Sequence, residues 1–104
     1  FSWSFSDNKT EEMIREIKNH CNYLLDPHTA VGMLGMNKFF EEINENNMGI
    51  VLATAHPAKF QDVVEPIIKK KVILPKQLQK AMEKKKNSTI IAANYSFLRD
   101  YLIQ

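Results

Sequence analysis

The string Thr54-Ala55-His56-Pro57-Ala58-Lys59-Phe60 places a hydroxyl, an imidazole and an ammonium within six residues. A threonine hydroxyl can donate to or accept from a ring nitrogen. Imidazole is the side chain whose ordinary titration lies near neutral pH, so His56 suits general acid or base work or anion binding. Lys59 follows an expected helix start, where backbone amides and an ammonium both favour a phosphate. Each residue also has a plainer reading: Thr54 caps the following helix, His56 satisfies backbone groups of the turn, and Lys59 is solvated. A second group, Asp26-Pro27-His28-Thr29, joins a carboxylate, an imidazole and a hydroxyl at another expected helix start. His28 and His56 stand far apart, and neither has a Cys or carboxylate at ligand spacing, so no metal site is expected. Cys21 has no motif partner and reads as a small buried hydrophobe. The chain has no P-loop, no glycine fingerprint for a dinucleotide and no Gly-x-Ser-x-Gly elbow.

The segments around these groups predict the elements that position them. Ser6-Asp7-Asn8 supplies capping side chains ahead of Met13, Ile14 and Ile17 at helical spacing, which predicts a helix to about Asn19. Asp26-Pro27 opens a second helix to about Glu45, since Asp can cap the first turn and Pro at the first helical position loses no hydrogen bond. Gly32 and Gly35 would each cost that helix roughly 1 kcal/mol relative to Ala, which predicts a close neighbour. Asn46 to Gly49 reads as a turn into Ile50-Val51-Leu52-Ala53, an apolar run typical of a strand buried on both faces. Phe1 to Ser6 is the only other strand candidate. Thr54 to Lys59 then lies at the carboxyl end of a strand, where open parallel sheets place their ligands. Pro57 suits the first turn of a helix carrying Phe60, Val63, Val64, Ile67 and Ile68, which Pro66 should kink or end. Pro75 opens a helix to about Lys85, and Asn94 or Ser96 starts a short last one. The expected fold is α/β: a mostly helical fragment with one or two strands, residues 1–104 forming one unit of a larger catalytic domain.

Composition narrows the function classes. With 104 residues, 44% hydrophobic and 25% charged, the chain can bury near 65% of its unfolded surface, about one modest core. Phe1, Trp3 and Phe5 put large apolar groups where termini are usually polar, as if a longer chain had been cut. One cysteine excludes a disulfide-stapled domain. No apolar run approaches the ~20 residues of a membrane helix, and with no basic n-region ahead of an apolar stretch no signal peptide is expected. The net charge of +2 divides into −4 over residues 1–52 and +6 over 53–104. Lys69-Lys70-Lys71 and Lys84-Lys85-Lys86 suggest a basic binding module. No aromatic residues interleave with them to stack on bases, so a solvated face is the simpler reading.

Two strings carry more than generic information: Tyr23-Leu24-Leu25-Asp26-Pro27-His28-Thr29-Ala30-Val31-Gly32 and Leu52-Ala53-Thr54-Ala55-His56-Pro57-Ala58-Lys59-Phe60. Together they resemble the carboxyl-terminal part of the threonine synthase family. Ser6-Asp7 with Glu11 and Glu12, and Leu74-Pro75 before a helix, fit the same pattern. The resemblance implies a fold-type II pyridoxal-phosphate enzyme, three-layer αβα in the parent, that converts O-phosphohomoserine and water to threonine and phosphate in the cytoplasm. It implies cofactor contacts from Thr54, at the pyridine nitrogen, with Ala55 and His56. Lys59, His28 and Thr29 become candidates for the substrate or its phosphate. It implies no catalytic residue in this chain, because the Schiff-base lysine lies in the family's amino-terminal region, so the piece alone should be inactive. Its partners are then the substrate and the remainder of its own polypeptide, with neither nucleic acid nor membrane. A threonine-synthase-like protein or another fold-type II lyase acting on a phosphorylated hydroxy-amino acid fits the same frame.

Overall fold

A computed structural model describes residues 1–44 and 48–103. Helix α1 spans Asp7–Cys21 and is capped by the Ser6 side chain, which accepts from the Lys9 amide. Helix α2 spans Pro27–Ile43, with Asp26 as its cap and Pro27 in its first turn. A 3₁₀ turn, Pro57–Phe60, leads into α3, Gln61–Ile68. Helices α4, Lys76–Met82, and α5, Tyr95–Ile103, complete the order. Both α1 and α2 end on an asparagine in the left-handed conformation, Asn22 and Asn44, a residue type that tolerates it. Pro66 lies in the last turn of α3, near whose end it was expected, two residues before its last member, Ile68.

Apolar spacing along α1 and α2 sets the core. Met13 and Ile14 of α1 pack with Leu25, Ala30 of α2 and Ile67 of α3, and Met33 and Leu34 close over them. A second cluster joins Ala58 of the 3₁₀ turn to Val64 and Val72, with Phe60, Leu74 and Leu78 alongside. Leu24 and Ile68 touch both clusters, so the 3₁₀ turn is seated on the α1–α2–α3 core.

The chain is mostly helical, as expected, but among the described residues there is no strand, which corrects the expected one or two strands. Ile50 and Leu52 are 84% and 78% exposed, while Val51 is half-buried. A strand needs a neighbour for its amides and carbonyls, and no other described segment pairs with this one. Phe1 to Ser6 likewise runs irregularly; Phe1 meets Phe39 edge-on at 5.1 Å, and the Trp3 indole donates to Glu42 of α2. Cys21 is exposed at the end of α1, not buried. Glu45, the expected end of α2, and Asn46 and Asn47 of the expected turn lie outside the described residues.

Residues Gly49 to Phe60 follow one stripe of α2 instead. A Cβ at Gly49 would collide with the Met36 sulfur and approach Phe40, and a Cβ at Gly32 would lie 3.0 Å from Val51. Phe60 then reaches His28. Positions 28, 32, 36 and 40 recur every four residues and so share one helix face. Of the two α2 glycines, Gly32 is therefore the one at the close approach. A Cβ at Gly35 would meet nothing within 4 Å.

Helices α4 and α5 bury no residue. The Cα radius of gyration is 18.7 Å, against about 13 Å for a compact chain of this length. Apolar Ile90, Tyr95, Phe97 and Leu102 stand open to solvent.

Candidate functional site

The core delivers both chemistry-bearing segments to the start of α2. Asp26, only 1% exposed, is the hub. Its Oδ1 accepts from the backbone amides of His28 at 3.0 Å and Thr29 at 3.4 Å, and its Oδ2 accepts from the Thr29 hydroxyl. The His28 ring lies 3.3 Å away through Nδ1. Burial works against the Asp26 charge, but the Thr29 hydroxyl, the two amides and the His28 ring together hold its carboxyl below the usual carboxylate range. Because Asp26 can only accept, Nδ1 of His28 is the donor in that contact, and Nε2 is the acceptor of the neutral ring.

Phe60 ties this hub to the other segment, its ring centroid 5.0 Å from that of His28. Sequence reasoning missed that contact, since no local spacing relates the two rings. Upstream, His56 caps the 3₁₀ turn: Nδ1 accepts from the Ala58 amide at 3.1 Å, and its carbonyl accepts from Lys59. The neutral His56 ring therefore carries its proton on Nε2, the opposite tautomer to His28. Thr54 does not make this cap. It is exposed, two residues upstream of the capping histidine, and beside half-buried Ala55.

Lys59 is exposed at the far end of the 3₁₀ turn. Thr29 is buried and its hydroxyl is committed to Asp26, whereas the His28 side chain is 67% exposed. The structure thus brings His28 to the edge of the Thr54–Phe60 turn and leaves Thr29 beneath it. His56 and Pro57 also border a cleft of about 370 Å³ with Tyr23, Lys18 and Lys70, which no sequence spacing signalled. Behind the turn, Glu65 of α3 accepts from the Val72 amide at 3.0 Å and from Lys71 at 2.7 Å. These bonds fix the chain as it leaves α3, and Lys71 foremost, then the Val72 amide, lowers the pKa of Glu65.

Comparison with known proteins bears on what this arrangement serves. The family model described as "Threonine synthase, C-terminal" matches residues 29–102. This chain belongs to the threonine synthase family. The threonine synthase of Buchnera aphidicola from Acyrthosiphon pisum is 36% identical over 101 residues, which cover 97% of this chain and 23% of that protein. Threonine synthases of Escherichia coli K12 and Saccharomyces cerevisiae are 32% and 35% identical, over 93% and 83% of this chain and 22% and 19% of their own lengths. The chain therefore spans about a quarter or less of the threonine synthases it matches. No solved structure matches it. None of the described helices is long and apolar enough to cross a membrane.

Proposed function

We propose that this chain is the carboxyl-terminal unit of the catalytic domain of a cytoplasmic threonine synthase, which converts O-phospho-L-homoserine and water to L-threonine and phosphate with pyridoxal 5'-phosphate. The reading rests above all on the division of labour in the Thr54–Lys59 turn. His56 caps the turn, so the Thr54 hydroxyl is left for a ligand. A neutral hydroxyl suits the pyridine nitrogen edge of the cofactor, and the small neighbours Ala53 and Ala55 leave room for a flat ring. The residues present therefore fit that edge of the group. Its phosphate and its covalent attachment belong to the absent part of the polypeptide.

The cofactor, when bound, supplies the electron sink for carbanion chemistry. Thr54 sets how that ring is held: a hydroxyl favours the protonated nitrogen less than a carboxylate does, which restrains the sink. Ala55 keeps the turn narrow beside the ring. His56, with Nδ1 engaged, offers Nε2–H as a fixed hydrogen-bond donor in place of a base. Lys59 favours an anion such as the substrate phosphate, His28 can donate to one from Nε2 only when its ring carries both protons, and Thr29 acts on His28 through their shared partner Asp26. Ile50–Ala53, exposed here at every residue but Val51, takes its place in the sheet of a three-layer αβα parent. The open apolar faces of α5 are covered by the remaining polypeptide. Without that polypeptide the chain is inactive.

Thr54→Val in the full-length enzyme tests the assignment, because it removes the hydroxyl and nearly preserves shape. The bound cofactor's absorbance should shift and turnover should fall, with far-UV circular dichroism unchanged. A wild-type spectrum with wild-type turnover would sink the role of Thr54.

A further inference from the structure

Arg15 and Lys18 of α1, and Lys69 and Lys70 just past α3, line a single cleft of about 540 Å³ where the carboxyl ends of the two helices meet. Its size falls within the roughly 300–1,000 Å³ of small-molecule sites. The side-chain amides of Asn19 and Asn22 border it, and no carboxylate is among its described lining residues. Lys71 is not available to it, because Glu65 holds that ammonium at 2.7 Å.

Cations near helix carboxyl ends have an ordinary explanation, as partners of the last carbonyls. That explanation accounts for Lys18, whose ammonium lies 2.7 Å from the Asn22 side-chain oxygen and 3.5 Å from its carbonyl. It does not account for the excess. Two helix ends carry roughly −0.5 each, so four cations leave roughly +3 in one cleft. Nor does it account for the residue at position 69. Helices α1 and α2 end on asparagine in the left-handed region, but α3 ends on Lys69 at φ 52°, ψ 34°. Glycine or asparagine holds that conformation at less cost, so Lys69 stands at the cleft despite its backbone and not because of it.

We propose that this cleft binds a di- or triphosphate anion. Arg15 offers a planar fork for phosphoryl oxygens, while Lys69 and Lys70 supply point charges along the chain of phosphates. A single phosphate would leave most of the charge unpaired. Half-buried Ile68 lies in the cleft wall, where an attached base could rest. The ligand is therefore either a free polyphosphate or the phosphate tail of a nucleotide.

Calorimetric titration of the full-length protein with inorganic pyrophosphate, and separately with inorganic tripolyphosphate and with magnesium-free ATP, tests this at low ionic strength. All three should bind, and affinity should fall as salt is raised. Arg15→Gln and Lys70→Gln should each weaken binding about tenfold, the worth of one charge-assisted hydrogen bond. Lys69→Gly should weaken it similarly while the thermal midpoint stays level or rises, because glycine relieves the left-handed strain. That divergence separates loss of a ligand contact from loss of structure. Tighter binding of ATP than of inorganic tripolyphosphate, which has the same number of phosphates, assigns a nucleotide; equal binding of those two assigns the phosphate chain alone. No binding of any probe, or unchanged affinity in all three variants, overturns the assignment. So does an equal loss on neutralising Lys84 to Lys86, which would mark a merely polycationic surface. The readout is binding alone, so it stands or falls apart from the catalytic role of Thr54.

Discussion

Replacing Asp26 by alanine should unsettle the start of α2 more than a helix cap alone predicts. Two backbone amides, of His28 and Thr29, lose their acceptor, a loss that costs about 1 kcal/mol at a typical N-cap. The Thr29 hydroxyl, buried and donating to Asp26, loses its partner as well, which adds roughly 1–3 kcal/mol for an orphaned buried group. The expected cost is thus about 2–4 kcal/mol, read as a shift in the urea midpoint at constant slope. Thr29→Val added to Asp26→Ala removes the orphan, so the double variant should be more stable than the sum of the single losses by about 1 kcal/mol or more. The same carboxylate predicts the pH dependence. Its folded-state pKa is depressed: burial raises it, but the hydrogen bonds from Thr29 and His28 outweigh burial. Its contribution is therefore complete above the ordinary aspartate range and is lost as pH falls through the folded value. The gap between the native protein and Asp26→Asn, wide at neutral pH, should narrow on acidification. A cost below about 0.5 kcal/mol for Asp26→Ala, under the range for caps, or strict additivity with Thr29→Val, would refute the hub.

The two α2 glycines should respond oppositely to alanine. Gly35→Ala meets open space and should gain about 0.5–1 kcal/mol, whereas Gly32→Ala drives a methyl to 3.0 Å from Val51 and should show no gain or a loss; thermal midpoints in the reverse order would contradict the path along α2. Glu65→Ala should free the Val72 amide and speed its hydrogen exchange. In the native protein the same exchange should quicken as pH falls through the depressed pKa of Glu65 and the clamp is protonated, once the intrinsic pH dependence is subtracted; an amide indifferent to both changes would remove Glu65 from the exit of α3.

Local signals were legible wherever the interaction itself is local. Ser6 and Asp26 cap helices within three residues of themselves, and Pro66 falls in the last turn of α3, where its missing amide costs one helix bond. Cys21 was misread because hydrophobicity does not say which side of a helix end faces the core. The Ile50–Ala53 run carries strand propensity, but propensity yields to context when no neighbour offers a ladder. At the candidate site the residue types were readable and their division of labour was not. Thr54 and His56 are both competent to cap the turn, and only the position of the Ala58 amide shows that His56 does so.

By itself, the chain's sequence determined its family, its helix starts and the two segments that carry its chemistry, since these depend on residue type and short spacing. Tertiary structure decided that the Gly49–Phe60 segment returns along the 28–32–36–40 stripe of α2, that Phe60 meets His28, and that four cations share one cleft. Those relations join residues far apart in the chain, where only packing of α1, α2 and α3 around Ile14, Ala30 and Ile67 sets the distances.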